Sequence, residues 1–355
     1  MKLKLLIIIK FFLKNEIHFE KSMKLLIQLL LIISISPSLK LRKFLNLKYK
    51  IFFSKFYEFS KLDDDYGYPI PLFNNDGILT EDGYAYYSMF SRTVNGEKIG
   101  TVITAETAVG NNFKYGYARI NDYKYISEHK YLVDIVHKND ADIILKIVNF
   151  LEYNSENNFY ELNETKIIPI YNEKITEIMK KEDIIKIEND FVSGVLRAKQ
   201  SGYDGVLISL NGDKGNNLLN CFLSPLINKR KDEYGENITN NRAKILKEII
   251  EKIRIELGYE FPLGLVIPIP DGYLGINDDD IITASKIAEK SGIDFIQIDT
   301  EEESHYKINE YDENKPLEFI KKLSENIKKI PITIFKRGIL EYKDLKTLAE
   351  IGIKF

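Results

Sequence analysis

Lys336, Arg337 and Gly338 follow directly after Ile332–Phe335, a short apolar run with the composition of a buried β-strand. Two adjacent cations attract a phosphate, and glycine allows backbone N–H groups to approach an anion closely. The end of this strand is therefore a candidate anion site, and two solvated cations at a turn are the competing interpretation. Lys336 alone could form a Schiff base, but the sequence identifies no acid or base to assist it.

Cysteine and histidine are too scarce to support several kinds of chemistry. The 355-residue chain has one cysteine, Cys221, so it has no internal disulfide and no multi-thiolate metal site. The four histidines are scattered, which leaves no candidate for zinc held by neighbouring histidines. No histidine is close to Cys221 in the sequence, so Cys221 is not predicted to be a nucleophile. This composition is compatible with the reducing cytoplasm, where we expect the protein to be located.

Charge is distributed unevenly along the chain. Residues 1–61 contain 13 Lys and Arg against 3 Asp and Glu, whereas the remainder contains 37 against 50. The acidic main body argues against a nucleic-acid surface. The apolar runs at residues 5–9 and 25–35 are too short to span a bilayer, which needs about 20 residues. We expect residues 1–65 to be a basic, partly apolar extension and the only route to a membrane, with a secretory-type signal as the alternative.

The main body alternates short β-rich runs with long amphipathic segments, as parallel strands joined by crossover helices do. Apolar residues at helical spacing predict helices around residues 184–198 and 246–257. Gly202 and Gly292 each stand between a helical pattern and an apolar strand, where a left-handed residue commonly ends a helix. Seven strands are predicted, near residues 67–72, 100–105, 141–148, 205–210, 262–267, 294–299 and 332–335.

The predicted fold is α/β: a (β/α)8 TIM barrel over residues 66–355 that lacks most of its eighth strand. A third glycine-then-strand pattern begins at Gly352, but the sequence stops at Phe355. Seven strands would leave two unpaired edges, which favour pairing with another chain and hence a homo-oligomer. We expect a C-terminal truncation. The alternative is that an N-terminal segment such as residues 47–53 supplies the missing strand.

A long motif after the predicted fourth strand is similar to that of the Old Yellow Enzyme family of NADH:flavin oxidoreductases. The family has F-L-S-P, N-x-R-x-D-E-Y-G-G-S and E-N-R in this order. The matching residues are Phe222, Leu223, Ser224, Pro225, Asn228, Arg230, Asp232, Glu233, Tyr234, Gly235, Asn241 and Arg242. Further matches lie in register at residues 76–81, 86–87, 100–109 and 261–264. We expect the charged and turn-forming residues of the motif to fix a loop rather than to perform chemistry.

The resemblance covers about residues 66–355 and implies a TIM barrel with FMN at the C-terminal mouth of its strands. It also implies which residues contact the flavin, and most of these positions carry a different residue type in this chain. The family's glutamine at the end of strand 3 is Lys146, and its strand 5 arginine is Val266. Where the family has a small strand 2 residue facing the flavin ring, this chain has Glu106. Where the family has Pro-Met after strand 1, this chain has Pro71-Leu72.

The resemblance further implies a substrate site and half of a phosphate site. The two substrate-anchoring positions after strand 4 align with Asn211 and Lys214, and the tyrosine that follows aligns with Asn216 or Asn217. The phosphate-binding residues that the family has after strand 7 match Lys336, Arg337 and Gly338. The Gly-Arg pair that the family has after strand 8 would lie beyond Phe355.

Two functional hypotheses remain open. In the first, FMN takes a hydride from NADH or NADPH and passes it to an electron-poor alkene or a related small molecule. Lys146 then replaces the missing arginine beside the flavin, and Asn211 with Lys214 polarises a substrate carbonyl. In the second, Glu106 and Lys146 form an ion pair that fills the flavin space, and the barrel is a non-catalytic binding or scaffold protein.

Overall fold

The computed structural model divides the chain into two units, Met1–Lys48 and Tyr49–Phe355, and every residue it describes lies in the second. The described residues are 56–58, 73–74, 76–94, 97–98, 100–111, 117–154, 159–162, 165–169, 179–211, 217–235, 239–270, 275–299 and 315–335. Within these ranges, no helix is both long and apolar enough to cross a bilayer.

Fourteen strands and eight α-helices are described. The strands are β1 (Phe56–Glu58), β2 (Thr93–Val94), β3 (Glu97–Lys98), β4 (Thr101–Ile103), β5 (Thr107–Ala108), β6 (Ala118–Arg119), β7 (Asp142–Val148), β8 (Glu152–Asn154), β9 (Phe159–Leu162), β10 (Thr165–Pro169), β11 (Gly205–Ser209), β12 (Leu263–Pro268), β13 (Phe295–Asp299) and β14 (Ile332–Phe335). The helices are α1 (Glu81–Phe90), α2 (Ile126–His137), α3 (Lys181–Ser201), α4 (Leu218–Leu223), α5 (Thr239–Arg242), α6 (Lys244–Leu257), α7 (Asp278–Ser291) and α8 (Lys315–Asn326).

The main sheet is parallel and is built from strand–helix units. Its hydrogen-bonded path runs β1-β4-β7-β11-β12-β13-β14, and the short β5 pairs with β7 and with β6. Two small antiparallel sheets, β2-β3 and β8-β9-β10, lie outside this path. Consecutive parallel strands need crossover connections, and the helices between β7 and β14 supply them. The predicted α/β class is confirmed.

Six of the seven predicted strands correspond to β4, β7, β11, β12, β13 and β14. The predicted strand at residues 67–72 lies outside the described residues, as does the N-terminal candidate at 47–53. However, β1 pairs in parallel with β4 and falls within residues 1–65, which sequence analysis treats as an extension. The sheet therefore begins earlier in the chain than expected. Among the described pairings, none joins β1 to β14.

The helices pack against one face of the sheet through the residues that the periodicity singles out. On α3, Ile184, Ile187 and Phe191 are buried in the main hydrophobic core, which also contains the apolar face of α6. Both α3 and α7 end at a glycine in the left-handed region, Gly202 at φ 92° and Gly292 at φ 114°. The predicted helix ends are confirmed, because the chain must reverse there to enter the next strand.

The other face of the strands is turned inward, away from the helices. Along each strand, every second residue is absent from the helix-facing core, because successive side chains of a strand point to opposite faces of the sheet. A Cβ added to Gly264 on β12 would lie 2.6 Å from both the Leu207 side chain on β11 and the Phe295 ring on β13. These two side chains therefore fill the interior across β12. We call this inward face the lumen.

His137, at the end of α2, holds the start of β11 against β7. Its Nε2 lies 2.8 Å from Asp204 Oδ2, which also accepts a hydrogen bond from the backbone N–H of Ile143 at 2.8 Å. The hydrogen bond to Asp204 raises the pKa of His137 above its usual value of 6.5. The pair therefore joins three elements at the N-terminal end of the sheet.

Replacing His137 by glutamine is expected to reduce stability in a pH-dependent way. Because the folded-state pKa is raised, the charged pair stabilises the native state fully below about pH 6.5, and this contribution is lost as pH rises through the folded pKa. Urea unfolding of both proteins between about pH 6 and 9 measures the difference. A difference in unfolding free energy that stays constant over this range would contradict the assignment.

Candidate active site at the C-terminal mouth of the strands

The loop that carries the long motif is fixed by its own side chains. Asn228 is buried, and its Nδ2 donates to the carbonyl oxygens of Phe222 (2.8 Å) and Tyr234 (2.7 Å). Arg230 Nη1 donates to the carbonyl of Met179 at 2.6 Å. A Cβ on Gly235 would lie 2.3 Å from the Arg230 carbonyl oxygen, so this position admits only glycine. The expectation that the motif fixes a loop is confirmed.

Arg242 completes this framework from α5. Its Nε donates to the Leu223 carbonyl at 2.7 Å, and its Nη2 lies 2.5 Å from Asp280 Oδ1. The side chains of Arg242 and Asp280 are 4% and 6% exposed. Arg242 on α5 thus links the end of α4, through its hydrogen bond to Leu223, with the start of α7, through its desolvated ion pair with Asp280. These helices follow β11 and β12, so the links hold the loops at the C-terminal ends of both strands.

Glu106 extends across the mouth of the lumen. It precedes β5, and its Oε1 accepts a hydrogen bond from Ser209 Oγ, at the end of β11, at 2.9 Å. Strand β7 lies between β5 and β11 in the sheet. The Glu106 side chain must therefore pass over the lumen face of β7 to reach Ser209, which is completely buried.

Lys146 lies on the stretch of β7 that Glu106 crosses. Its register partner on β11 is Leu207, whose side chain faces the lumen, and register partners in a parallel sheet point to the same face. Lys146 is 5% exposed, and its backbone N–H donates to Thr104 Oγ1 at 3.0 Å. The structure thus places the buried Lys146 in the lumen. The predicted ion pair between Lys146 and Glu106 stays a prediction.

A second polar bridge crosses the mouth between β11 and β13. Asn211 Nδ2 donates to Asp299 Oδ2 at 2.7 Å, and Asp299 is 4% exposed. The backbone of Asn211 is held by Asn217, whose Nδ2 donates to the carbonyls of Ser209 (2.8 Å) and Asn211 (2.6 Å). Asn217 also caps α4 by accepting from Leu219 N–H at 2.9 Å. Asn217 therefore positions Asn211 rather than facing a ligand.

Val266 is apolar at the position where the resemblance implies an arginine. It is buried on β12, with Ser209 and Gln297 as its register partners on either side. Gln297 is 2% exposed. Lys146 is therefore the only cation on the lumen face of β7, β11, β12 and β13 within the described residues.

Asn149, immediately after β7, has an unsatisfied carboxamide. It is completely buried, and neither its Oδ1 nor its Nδ2 has a hydrogen-bond partner in the described part of the chain. A Cβ on Gly110 would lie 2.7 Å from Asn149 Oδ1, so glycine leaves room for this amide. A buried orphan amide normally bonds to water or to a ligand group.

Several predicted site residues lie outside the described residues: Pro71, Leu72, Lys214, Lys336, Arg337 and Gly338. Sequence analysis missed Ser209 and Asp299 as members of the site. Each is the last residue of an apolar strand, and that position at the carboxyl end was the available signal.

Cys221 is buried, and burial raises the pKa of its thiol, which agrees with the prediction that it is not a nucleophile. No cluster of three metal-ligating side chains occurs among the described residues.

Comparison with known proteins identifies the class of this barrel. The profile of the NADH:flavin oxidoreductase / NADH oxidase family matches residues 72–332. The chain belongs to this family, and the resemblance found in the motif is confirmed.

Several of the similar proteins are NADPH dehydrogenases. One from Halalkalibacterium halodurans is 40% identical over 124 residues, which cover 35% of each chain. One from Listeria welshimeri is 29% identical over 242 residues, covering 64% of this chain and 65% of the relative. The chain thus matches between about a third and two thirds of the length of these relatives.

Solved structures support the same fold. An Old Yellow Enzyme homologue from Zymomonas mobilis superimposes with a TM-score of 0.63 at 16% identity, covering 86% of this chain and 84% of the other. Morphinone reductase gives a TM-score of 0.62 at 15% identity, covering 80% and 78%. The described parallel sheet is therefore that of a TIM barrel of the Old Yellow Enzyme type.

The polar groups of the mouth fit the edge of an isoalloxazine ring. Such an edge needs a cation or dipole near N1 and O2 and hydrogen-bonding groups beside its carbonyl and N–H positions. Lys146 supplies a cation, and the carboxamide of Gln297, on the same lumen face, supplies a donor and an acceptor. Glu106 is the exception, because an ionised carboxylate accepts hydrogen bonds and donates none.

Proposed function

We propose that this protein is an FMN-dependent oxidoreductase that takes a hydride from NADH or NADPH and reduces an electron-poor alkene or a related small molecule. The observation that carries the proposal is the buried ammonium of Lys146, which faces the lumen of a barrel of the NADH:flavin oxidoreductase family. FMN, when bound, supplies the transfer of the hydride between nicotinamide and acceptor.

The chain's own residues have distinct parts in this proposal. Lys146 stabilises negative charge that develops at the polar edge of the cofactor, as a fixed cation does in a water-poor site. Asn211 polarises the carbonyl of the acceptor, and its orientation is supported by its hydrogen bond to Asp299. Lys214 is proposed to assist Asn211, and Lys336, Arg337 and Gly338 to hold the phosphate. Pro71 and Leu72 are proposed to contact the flavin ring.

The retention of FMN tests the proposal directly. We expect the purified full-length protein to be yellow, or to become yellow on incubation with FMN, and to release FMN when it is denatured. The bound flavin should bleach anaerobically on addition of NADPH or NADH and regain colour when an activated enone is added. A protein that stays colourless in excess FMN would refute the enzyme and support the non-catalytic barrel.

A further inference from the structure

We infer that Glu106 sets the affinity of the barrel for FMN, because its bridge to Ser209 occupies the space over β7 that the flavin ring must enter. This inference deepens the proposed function and rests on it. It assigns to Glu106 a role in cofactor admission rather than in hydride transfer.

The Glu106 side chain follows a path across β7 to reach Ser209. The carboxylate of Glu106 reaches Ser209 Oγ at 2.9 Å, although β7 separates β5 from β11. Neighbouring strands lie about 4.8 Å apart, so the side chain must extend across the full width of β7 on its lumen face. Lys146 lies on the same strand and face, at its C-terminal end. Any ring that lies against Lys146 therefore meets the Glu106 side chain.

The carboxylate of Glu106 is also chemically mismatched to the flavin edge. The edge of the flavin that requires a cation carries carbonyl oxygens and N1, all of which are hydrogen-bond acceptors. The Glu106 carboxylate, which accepts from Ser209, offers these atoms no donor, so the ring edge would meet an acceptor where it needs a donor. Lys146 and Glu106 thus have opposite effects on the same ring edge.

The bridge between Glu106 and Ser209 resists displacement. Ser209 is completely buried, and its Oγ accepts from the Asn211 backbone N–H at 3.1 Å. Its single hydroxyl proton has two acceptors within reach, Glu106 Oε1 at 2.9 Å and the Asn211 carbonyl at 3.2 Å, and the carboxylate is the nearer and the more strongly accepting of the two. The Ser209 carbonyl is fixed in turn by Asn217 Nδ2. A carboxylate that accepts from a rigid, buried hydroxyl has a defined position, and moving it away breaks a charge-assisted hydrogen bond.

The experiment compares FMN affinity among variants of the full-length chain, freed of flavin, by quenching of FMN fluorescence. Glu106→Ala removes the bridge and is expected to bind FMN about 10- to 100-fold more tightly than the natural chain, the range that corresponds to losing one hydrogen bond to a charged group. Ser209→Ala keeps the carboxylate but removes its anchor, and is expected to raise the affinity in the same direction. Glu256→Ala, an exposed glutamate on α6, is the matched control and should leave the affinity unchanged.

Each outcome decides the inference separately from the proposed function. If Glu106→Ala binds FMN no more tightly than the natural chain while both bind it, the function stands and the inference is overturned. If only Glu106→Ala and Ser209→Ala bind FMN, the inference is supported and the natural chain is not a flavoenzyme. If no variant binds FMN, both fail. Thermal unfolding of each variant confirms that affinities are compared between folded proteins.

Discussion

Arg242→Ala is expected to destabilise the barrel by about 3 to 5 kcal/mol, because removing one partner of a buried ion pair leaves the other charge desolvated and unpaired. The charge left behind belongs to Asp280, whose Oδ1 lies 2.5 Å from Arg242 Nη2 and whose side chain is 6% exposed. The Leu223 carbonyl also loses the donor that now lies 2.7 Å away. In a domain of this size, each kcal/mol corresponds to about 2 to 4 °C in Tm.

Urea and thermal unfolding measure this effect, and an exposed ion pair whose acidic partner is Asp279, the neighbour of Asp280 on α7, provides the control. Lys322 Nζ lies 2.9 Å from Asp279 Oδ1, but both side chains are largely exposed to water. Lys322→Ala should therefore change stability little, since exposed pairs contribute between zero and about 1 kcal/mol. A loss in Arg242→Ala as small as that of the control would show that the motif arginine does not stabilise the framework as proposed.

Lys146→Met is expected to slow reduction of bound FMN by NADPH about 10²- to 10³-fold, the usual effect of removing one group that stabilises developing charge. Methionine retains the length and the packing of the lysine stem, and the hydrogen bond to Thr104 is unaffected because it comes from the Lys146 backbone N–H. The charge of Lys146 is therefore the property that changes. This prediction rests on the proposed function.

Anaerobic stopped-flow absorbance at saturating FMN measures the rate, and two variants separate charge from structure. Lys146→Arg keeps a cation in the lumen and should retain most of the rate that Lys146→Met loses. Lys130→Met removes an exposed lysine from α2 and should behave like the natural chain. Reduction of Lys146→Met at the natural rate would exclude Lys146 from charge stabilisation.

Six strands of the main sheet and the two long helices α3 and α6 could be predicted from the sequence because their signals are local. The apolar run at residues 332–335 became β14, and apolar spacing from Ile184 to Ala198 became the buried face of α3. Gly202 and Gly292 marked helix ends, since the left-handed conformation there favours glycine over residues with a Cβ. The motif likewise indicated both the family and a structural role for its own residues.

The arrangement of the site could not be predicted to the same degree. The sequence indicated that Glu106 and Lys146 end neighbouring strands, but it gave no sign that Glu106 would reach Ser209. Similarly, Asn211 was predicted to face a substrate, whereas the structure shows that its carboxamide is also held by Asp299. The strand β1 was missed because its three residues lie in a basic segment without a clear alternating pattern.

What the sequence determined by itself was the α/β class, six of the parallel strands and the family, because periodicity, glycine positions and motif spacing act over a few residues at a time. Only the tertiary structure decided which polar strand ends meet. Glu106 and Ser209 are 103 residues apart in the chain, and Asn211 and Asp299 are 88 apart. Such pairs form only when the parallel sheet brings the carboxyl ends of its strands to one mouth.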